Sequence, residues 1–258
     1  MNVAEAREMA AAANAGDLVH QVAFVFRYNY GVQELRRRVL RGDIGQPFYC
    51  RVQYDNWDGL KPDWQAGWGE QRALAGGGVL FSLGSHLFDL ARHVLGPIES
   101  TIGYTHHLPR ESVDARTGAR IRVETDDLFN AWLRHTGGVR SQLFVSRVTP
   151  GFTPNGNLEV IGPDGALKAA LSRGAWDSLS ISTPRAPEWT DVPLPDAARD
   201  KTPHSLGLMM RSFVDACLRG SIDPTVDATF NDGLAAQLAM ESISSQTGPD
   251  CWQNIEPI

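Results

Sequence analysis

The chain has 258 residues, of which 42% are hydrophobic and 21% are charged, and its formal net charge is -6. This composition is ordinary for a globular protein, and the length is enough to bury the core of one large domain or two small ones. The acidic balance and the lack of a Lys/Arg block argue against a nucleic-acid partner.

The cysteines and the apolar runs indicate the cellular compartment in which the protein is expected to work. Cys50, Cys217 and Cys251 are far apart and follow no metal-binding spacing. With no signal peptide at the start of the sequence, they predict reduced thiols in a cytoplasmic protein. No apolar run approaches the roughly 18 residues that a membrane span needs, so no membrane partner is expected.

The amino-terminal segment predicts one helix followed by one buried strand. Asn2 and Glu5 form a capping pair, and Gly16 is a suitable terminator. The run Val22–Phe26 is apolar without alternation, which is typical of a strand buried on both faces of a parallel sheet. The chain has no second run of this kind, and no G-x-G-x-x-G follows a strand. We therefore expect residues 1–29 to be the last helix and strand of a Rossmann domain whose first part, about a hundred residues, is absent.

Residues 30–258 predict a separate α+β domain. An amphipathic helix is expected over Tyr30–Arg41, ended by Gly42. Hairpin turns are expected at Thr136–Gly138 and Pro163–Gly165. Alternating segments, typical of a half-exposed antiparallel sheet, predict strands over Pro47–Tyr54, Ile98–Thr105, Val123–Arg134, Val139–Val148, Leu158–Ile161, Ala166–Leu171 and Leu179–Ser182.

The last part of the chain predicts a surface segment and two closing helices. Pro184–Thr202 is rich in proline and charge and is expected to cross the surface. The helices are expected over His204–Leu218 and Ala228–Ser245, with Gly248 and Pro249 as a stop.

The most informative segment is Gly76–Asp89, with the sequence GGGVLFSLGSHLFD. Its glycines permit a close approach of the backbone, and a helix is predicted to follow them. The core-facing positions of that helix are Leu83, Leu87, Leu90 and Val94. A second stripe, expected on one face, consists of Ser82, His86, Asp89 and His93. Such a polar stripe is either structural or catalytic.

This segment resembles the G-G-G-x-L-x-D-x-G-x-H-x-x-D signature of the Gfo/Idh/MocA oxidoreductases. Phe26–Tyr30 is similar to the family's F-R-Y-N-P segment, with Tyr30 in place of proline. Leu40–Pro47 is similar to its L-x-x-G-x-I-G-x-P/I turn. The resemblance extends over nearly the whole chain, to Thr247 and Gly248, with the motifs in the family's order.

The resemblance implies a Rossmann domain followed by a large open, mainly antiparallel sheet with helices on one face. The other sheet face is expected to hold a homo-oligomer together. The implied chemistry is hydride transfer between NAD or NADP and a secondary alcohol of a sugar or polyol.

The catalytic candidates from the resemblance are His86, Ser82 and Asp89. His86 matches the family's general base, because an imidazole titrates near working pH. Ser82 stands where the family has an aspartate, and a hydroxyl cannot provide the roughly 1–3 unit pKa shift of an opposite charge. Asp89 is a substitute if the helix directs it toward His86. The lysine of the family's E-K-P motif is absent, and Lys61 lies at the wrong place in the chain to replace it.

Two further groups are candidates for binding. Trp57, Trp64 and Trp68 would either stack on a sugar face or pack at the rim of the sheet. Arg27 and Asn29 follow the predicted Rossmann strand and are expected near the cofactor, although Asn29 is equally suited to cap the next helix.

A metal site is not predicted. His106–His107 and Asp126–Asp127 are adjacent pairs, and His135 stands alone. Neighbours on a strand point to opposite faces, so neither pair can chelate as a unit.

Two functions stay open at this point. One is a truncated NAD(P)-dependent oxidoreductase, favoured by the ordered motifs. The other is a non-catalytic sugar-binding or subunit-assembly module, favoured by Ser82 and by the absent lysine.

Overall fold

A nine-stranded sheet forms the framework of the chain. The computed structural model describes residues 2–150, 155–171, 177–198, 205–245 and 252–256. The helices are α1 (Val3–Ala15), α2 (Tyr30–Arg41), α3 (Arg72–Ala75), α4 (Val79–Ser82), α5 (Gly84–Leu95), α6 (Ser205–Arg219) and α7 (Phe230–Ser244). The strands are β1 (Tyr49–Asp55), β2 (Ile98–His106), β3 (Glu111–Val113), β4 (Arg120–Arg122), β5 (Leu128–His135), β6 (Arg140–Ser146), β7 (Asn155–Gly162), β8 (Gly165–Leu171), β9 (Leu179–Thr183), β10 (Ala186–Asp191) and β11 (Gln253–Asn254). The predicted stop at Gly248 and Pro249, and Cys251, lie outside the described residues.

The sheet is mainly antiparallel, as predicted. Its strand order is β10-β9-β8-β7-β1-β6-β5-β2-β11. The central strand β1 is parallel to β6 and antiparallel to β7. The other pairs in the described part of the sheet are antiparallel, and β3 and β4 form a separate ribbon. The predicted α+β class with one large open sheet is confirmed.

Alternation along the strands places one set of side chains beneath the helices. On β1, Cys50 and Val52 are fully buried, whereas Arg51 is exposed on the opposite face. Helix α5 packs on β1, β5 and β6, helix α7 packs on β2, and helix α2 packs on β8 and β9. Burying one large apolar side chain contributes roughly 1.5–3 kcal/mol, so this layer provides most of the stabilisation. Its fully buried residues include Phe129, Leu133, Leu143, Leu158 and Leu167.

Helix α1 begins and ends at the predicted caps. The Asn2 side chain accepts a hydrogen bond from the Glu5 amide, and the Glu5 carboxylate accepts one from the Asn2 amide. Gly16 is the C-cap. The helix packs on α7 and buries Ala10 and Ala13.

Helix α2 has the bounds that the sequence predicted. It buries Val32 and Leu35, and Gly42 ends it with a φ of +82° that favours glycine. Leu40, an apolar residue near the end of this helix, is 66% exposed.

The predicted strand over Val22–Phe26 is wrong. The Val22 amide donates to the Ala228 carbonyl, and a 3-10 helix begins at Val25 and ends at Tyr28. Within the described residues no strand lies beside this segment, so apart from Val22 its backbone amides bond to nearby carbonyls instead of in a ladder. The predicted burial is nevertheless confirmed, because Phe24 and Phe26 are 5% and 1% exposed.

Several short strands were not predicted. β3, β4 and β11 have two or three residues each, too few to show alternation. β10 lies inside the stretch predicted as a surface crossing, and all six of its residues are exposed at the edge of the sheet. The strand predicted to begin at Val123 begins at Leu128 instead.

One stretch, Arg72–Leu95, is long and apolar enough by composition to cross a membrane. In the fold it is divided among α3, α4 and α5. Of its most apolar window, 44% is buried inside the chain. The division and the burial are those of a core element, so this stretch is weak evidence for a membrane span.

Candidate active site

The glycine run holds the backbone tightly against the segment before β5. The Asp126 carboxylate accepts hydrogen bonds from the amides of Gly78 (2.7 Å) and Leu80 (2.8 Å). A Cβ on Gly78 would lie 2.0 Å from the Asp126 carbonyl oxygen, and one on Gly77 would lie 2.2 Å from the Phe81 ring. Glycine is therefore required at both positions for this close approach.

The predicted polar stripe is divided between two helices. Helix α4 ends at Ser82, and the His86 amide bonds to the Leu83 carbonyl only three residues back. This tight turn rotates Ser82 relative to His86. Along the stripe Ser82 is exposed, His86 is half-buried and Asp89 is buried. The four side chains consequently do not share one environment, and the expectation of a single polar face is wrong.

A cavity of about 1200 Å³ lies beside the glycine run. Five residues of the motif line it: Gly77, Gly78, Phe81, Ser82 and Ser85. Helices α1 and α7 line the opposite side and contribute Ala6, Met9, Leu234, Ala236 and Met240. The volume is slightly above the range of about 300–1,000 Å³ for small-molecule sites, and apolar groups dominate the wall.

His86 is one layer behind this cavity. Its ring lies edge-on to Phe24, with centroids 5.6 Å apart, and to Phe26, with centroids 5.3 Å apart. Phe24 lines the cavity, whereas His86 does not. The corrected interpretation of Val22–Phe26 therefore matters for chemistry, because two aromatic rings of this segment pack against the imidazole.

Asp89 is directed to Arg27 and not to His86. The Arg27 Nε lies 2.8 Å from Asp89 Oδ2, and Nη2 lies 2.5 Å from Oδ1. Arg27 also donates to the Asp227 carbonyl and lies 3.1 Å from Asp232. Burial raises the pKa of Asp89 to about 6, and the Arg27 guanidinium limits that rise. Both side chains are at most 3% exposed, and neither lines the cavity beside the glycine run.

Asn29 is occupied within the fold as well. It is the N-cap residue of α2, but its side chain does not cap the helix. Instead the Asp177 carboxylate accepts hydrogen bonds from Nδ2 of the Asn29 side chain (2.8 Å) and from the Tyr30 backbone amide (2.7 Å). Sequence reasoning missed Asp177, because nothing local indicates a cap supplied by a residue so far along the chain.

The three tryptophans do not form one cluster at the cavity. Trp68 is 70% exposed and lines it. Trp64 lies beneath two guanidinium groups, 4.8 Å from Arg110 and 5.7 Å from Arg147. Trp57 is 39% exposed and lies 5.5 Å from the Lys61 ammonium. Only Trp68 has the placement expected of a ligand platform, and Trp64 packs as a rim residue.

A buried ion network beside the cavity was missed by the sequence analysis. Asp127 accepts two hydrogen bonds from Arg110 and one from Arg147, and Arg147 also donates to Glu70 at 2.5 Å. Burial opposes ionisation of Asp127, but the arginines more than offset it and lower its pKa. Glu70 and Arg147 line the cavity and give it a polar edge. The Asp126–Asp127 pair was the available signal, although the sequence could not identify the arginines as its partners.

The other residues weighed as metal ligands have structural partners. His107 bonds to the Val123 carbonyl, and His135 bonds to the Gly96 carbonyl and to Ser141. Within the described ranges no group of three or more His, Cys, Asp or Glu side chains is placed to hold a metal ion.

Comparison with known proteins agrees with the motif resemblance. A family model described as the GFO/IDH/MocA C-terminal domain matches residues 32–168, more than half of the chain. Levoglucosan dehydrogenase of Pseudarthrobacter phenanthrenivorans is 24% identical over 63% of this chain and 45% of its own length. Glucose-fructose oxidoreductase domain-containing protein 2 of Xenopus tropicalis is 27% identical over 71% of this chain and 51% of its own. The chain thus spans about half the length of these curated relatives.

Solved structures share the fold. A structure of levoglucosan dehydrogenase without ligand has a TM-score of 0.85 at 19% identity, and the match covers 100% of this chain and 72% of the other. An NAD binding oxidoreductase from Klebsiella pneumoniae has the same TM-score at 21% identity and the same coverage. Identities this low establish a shared fold and leave the site chemistry to be argued from the residues.

Proposed function

Because this chain belongs to the GFO/IDH/MocA family of oxidoreductases, we propose that it forms the substrate side of a nicotinamide-dependent dehydrogenase. The substrate class is a secondary alcohol of a sugar or polyol. The relatives named above include levoglucosan dehydrogenase, and a D-apiose dehydrogenase of Paraburkholderia graminis is 24% identical over 96% of this chain. Within the proposed enzyme, residues 1–29 would adjoin the dinucleotide-binding unit, and residues 30–258 would carry the substrate.

One observation carries this proposal. The family motif Gly76–Asp89 forms a wall of the larger cavity, with Gly77, Gly78 and Ser82 at its surface. The motif is therefore placed where a ligand can reach it, which a purely structural role would not require.

The residues of this chain do not fit a complete dinucleotide site. Pyrophosphate is usually held at a free helix N-terminus behind a glycine-rich turn. The N-terminus of α1 is occupied by the Asn2–Glu5 capping box, that of α2 by Asp177, and that of α7 by Asp232. The sequence has no G-x-G-x-x-G. We therefore expect the chain by itself to bind NAD or NADP weakly, with the cofactor held by a separate dinucleotide-binding unit.

The chemistry assigned to this chain is proton management. His86 is the proposed base, since imidazole is the side chain that titrates closest to neutral pH. Because its ring is in contact with Phe24 and does not itself line the cavity, it would reach a substrate hydroxyl only after neighbouring side chains move. Ser82 reaches the cavity directly and would orient the hydroxyl without adding charge. The proposed catalytic pair is therefore His86 and Ser82, and Asp89 positions α5 through Arg27.

The polar edge of the cavity is the proposed sugar-binding surface. Glu70 and Arg147 offer charged hydrogen-bond groups beside the exposed ring of Trp68. An aromatic face with a few fixed polar groups is the usual arrangement for a sugar. Arg147 is held in place by Asp127, so this edge is rigid.

The decisive experiment supplies the cofactor unit. The chain is joined to the dinucleotide-binding part of the Pseudarthrobacter levoglucosan dehydrogenase, and NADH formation is followed with levoglucosan, L-sorbose and D-apiose. Turnover that falls at least about a hundredfold in His86→Gln, as for loss of a general base, would support the proposal. His107→Gln is the matched control, because His107 bonds only to a backbone carbonyl in the described structure. Equal turnover in the two variants would contradict the assignment of His86.

A second function, a sugar-binding or subunit-assembly module without catalysis, is favoured by one observation. The imidazole of His86 is shielded by Phe24 and Phe26, and the aspartate that would polarise it is replaced by Ser82. Introducing Ser82→Asp into the joined protein distinguishes the two functions. A rise in rate supports the enzyme, whereas sugar binding with no turnover in either form supports the module.

The uncovered sheet face is the proposed subunit contact. Trp132 and Tyr104 are 39% and 58% exposed on it, and the Trp132 ring lies 6.1 Å from that of Tyr49. A contiguous aromatic surface of this kind is typical of a homo-oligomer interface. Trp132→Glu is expected to convert the oligomer to a monomer in light scattering, and an unchanged mass would contradict this assignment.

A further inference from the structure

A second cavity, of about 700 Å³, lies on a different part of the chain. It is formed by the ends of α2 and α5, the turn between β5 and β6, and the segment before α7. It shares no lining residue with the cavity beside the glycine run. Its volume is within the range of small-molecule sites.

Of the three arginines that line this cavity, Arg36 forms no ion pair with a described residue. Its Nε donates to the His93 backbone carbonyl at 2.9 Å. Across the described residues no carboxylate forms an ion pair with it, so both Nη groups keep their donors. Burial lowers the pKa of Arg36, and the charge of Arg27 lowers it further. A half-buried guanidinium without an acidic partner is unusual, because such a charge is normally paired.

The acidic groups at this cavity are already engaged. Asp232 is paired with Arg92 at 2.5 Å and with Arg27 at 3.1 Å, and it caps α7. The side chain of Asp227 accepts from Gln21, Ser212 and the Asp223 amide, and it contacts Tyr28. Among the described groups, neither carboxylate forms an ion pair with Arg36.

The remaining groups add no positive charge to the cavity. Burial lowers the pKa of His93 to about 3, and the charges of Arg27, Arg36 and Arg92 lower it further, against Asp232. The ring is therefore neutral at physiological pH. The dipole of α5 places about half a negative charge at its carboxyl end, which repels an anion. Arg36 already donates a hydrogen bond to the His93 carbonyl at this end of α5. The full positive charge of its guanidinium exceeds the partial negative charge of the helix end.

We propose that this cavity binds a small organic carboxylate. The planar Nη edge of Arg36 matches a carboxylate, which can accept two parallel hydrogen bonds from a guanidinium. Arg92 lies beside it and donates only to Asp232 among the described groups. A short hydrocarbon body has an apolar wall to contact, made of Val39, Leu40, Val94, Val139 and Ile222. An inorganic anion would leave that wall unused.

Calorimetric titration of the whole chain at constant ionic strength tests this. Sodium butyrate is the probe, 1-butanol has a similar body without the charge, and inorganic phosphate has the charge without the body. Saturable butyrate binding, with both other probes at least about tenfold weaker, is expected from combined ionic and apolar recognition. Phosphate that binds as tightly as butyrate overturns the carboxylate assignment, and equal binding of butanol overturns the role of charge.

Two pairs of variants locate the site. Arg36→Gln should weaken butyrate binding at least about tenfold through loss of the charge-assisted bonds. Arg41→Gln, on the same helix but outside the cavity, is the matched control and should bind normally. If circular dichroism shows that Arg36→Gln does not fold, variants of Leu40 test the site instead. Leu40 is 66% exposed at the rim of the cavity, so its substitution should not affect folding. Leu40→Gln should weaken binding slightly through loss of apolar contact, Leu40→Glu should weaken it much more through charge repulsion, and equal affinity of these two overturns the proposed site.

Discussion

The guanidinium of Arg27 lies side-on to the carboxylate of Asp89, with both contacts between 2.5 and 2.8 Å and both side chains buried. This pair joins the 3-10 turn after α1 to the middle of α5. It also explains why these two residues, which occupy family-motif positions, do not line the cavity beside the glycine run. Their role is to fix the helix that carries His86.

Removing one member of this pair should be costly, because it leaves the other charge buried. We expect Asp89→Asn to lower the free energy of unfolding by about 3–5 kcal/mol. Urea unfolding measures the change. Arg7→Ala, which removes an exposed pair with Glu256, should cost no more than about 1 kcal/mol. Similar losses in both variants would show that the buried pair has no special role.

Glycine 78 should tolerate no side chain. In Gly78→Ala the new Cβ would meet the Asp126 carbonyl at 2.0 Å, so the start of α4 must shift. A loss of about 1–3 kcal/mol in urea unfolding is expected from this overpacking. Gly137→Ala, where a Cβ meets nothing within 4 Å, is the control and should stay near the wild type. A Gly78→Ala protein as stable as Gly137→Ala would contradict the close approach.

His93 should make the fold sensitive to acid. Burial lowers its pKa from the ordinary 6.5 to about 3. The neutral ring therefore contributes stability that is complete above pH 6.5 and is lost as the pH falls toward 3. Between pH 6.5 and pH 5 the titration of His93 should lower the free energy of unfolding by roughly 1.5 kcal/mol. This pH dependence should be absent in His93→Gln.

The measurement compares urea unfolding of the wild type and His93→Gln across this pH range. The comparison is needed because Asp89, with a pKa raised to about 6, changes stability in the opposite direction over the same range. Asp89 is present in both proteins, so their difference isolates the imidazole. Parallel pH profiles would refute the prediction.

Substitution of Trp64 should affect mainly stability, whereas substitution of Trp68 should affect mainly sugar binding. Trp64→Ala removes a half-buried ring under Arg110 and Arg147, and we expect it to cost about 1–2 kcal/mol more than Trp68→Ala. Trp68→Ala should instead reduce sugar binding in the joined protein with little change in unfolding. Reversed effects would place the ligand platform at Trp64.

Much of the framework was predictable because its signals are local. The caps of α1, the bounds of α2 and the hairpin after β7 depend on residues within a few positions of each other. The strand predicted at Val22–Phe26 failed for the opposite reason. Apolar composition indicates burial, whereas strand geometry also requires a neighbouring edge, which composition cannot supply.

The candidate site was predictable only in part. The motif identified the glycines and Ser82 that line the cavity. The ion pairs of Asp89 and Asp127 connect residues that are distant in sequence, and no periodicity announces such partners. The tight turn at Leu83 could not be predicted either, because the periodicity analysis assumes one regular helix in which every turn has the same number of residues.

The position of β1 has a consequence for biosynthesis. This strand emerges early, yet its two neighbours are β6 and β7, which end at Ser146 and Gly162. A nascent polypeptide released before those residues leave the ribosome carries this strand with both edges open and its apolar face uncovered. Such strands are slow to find distant partners and prone to self-association. Prematurely terminated products of this gene should therefore depend on chaperones.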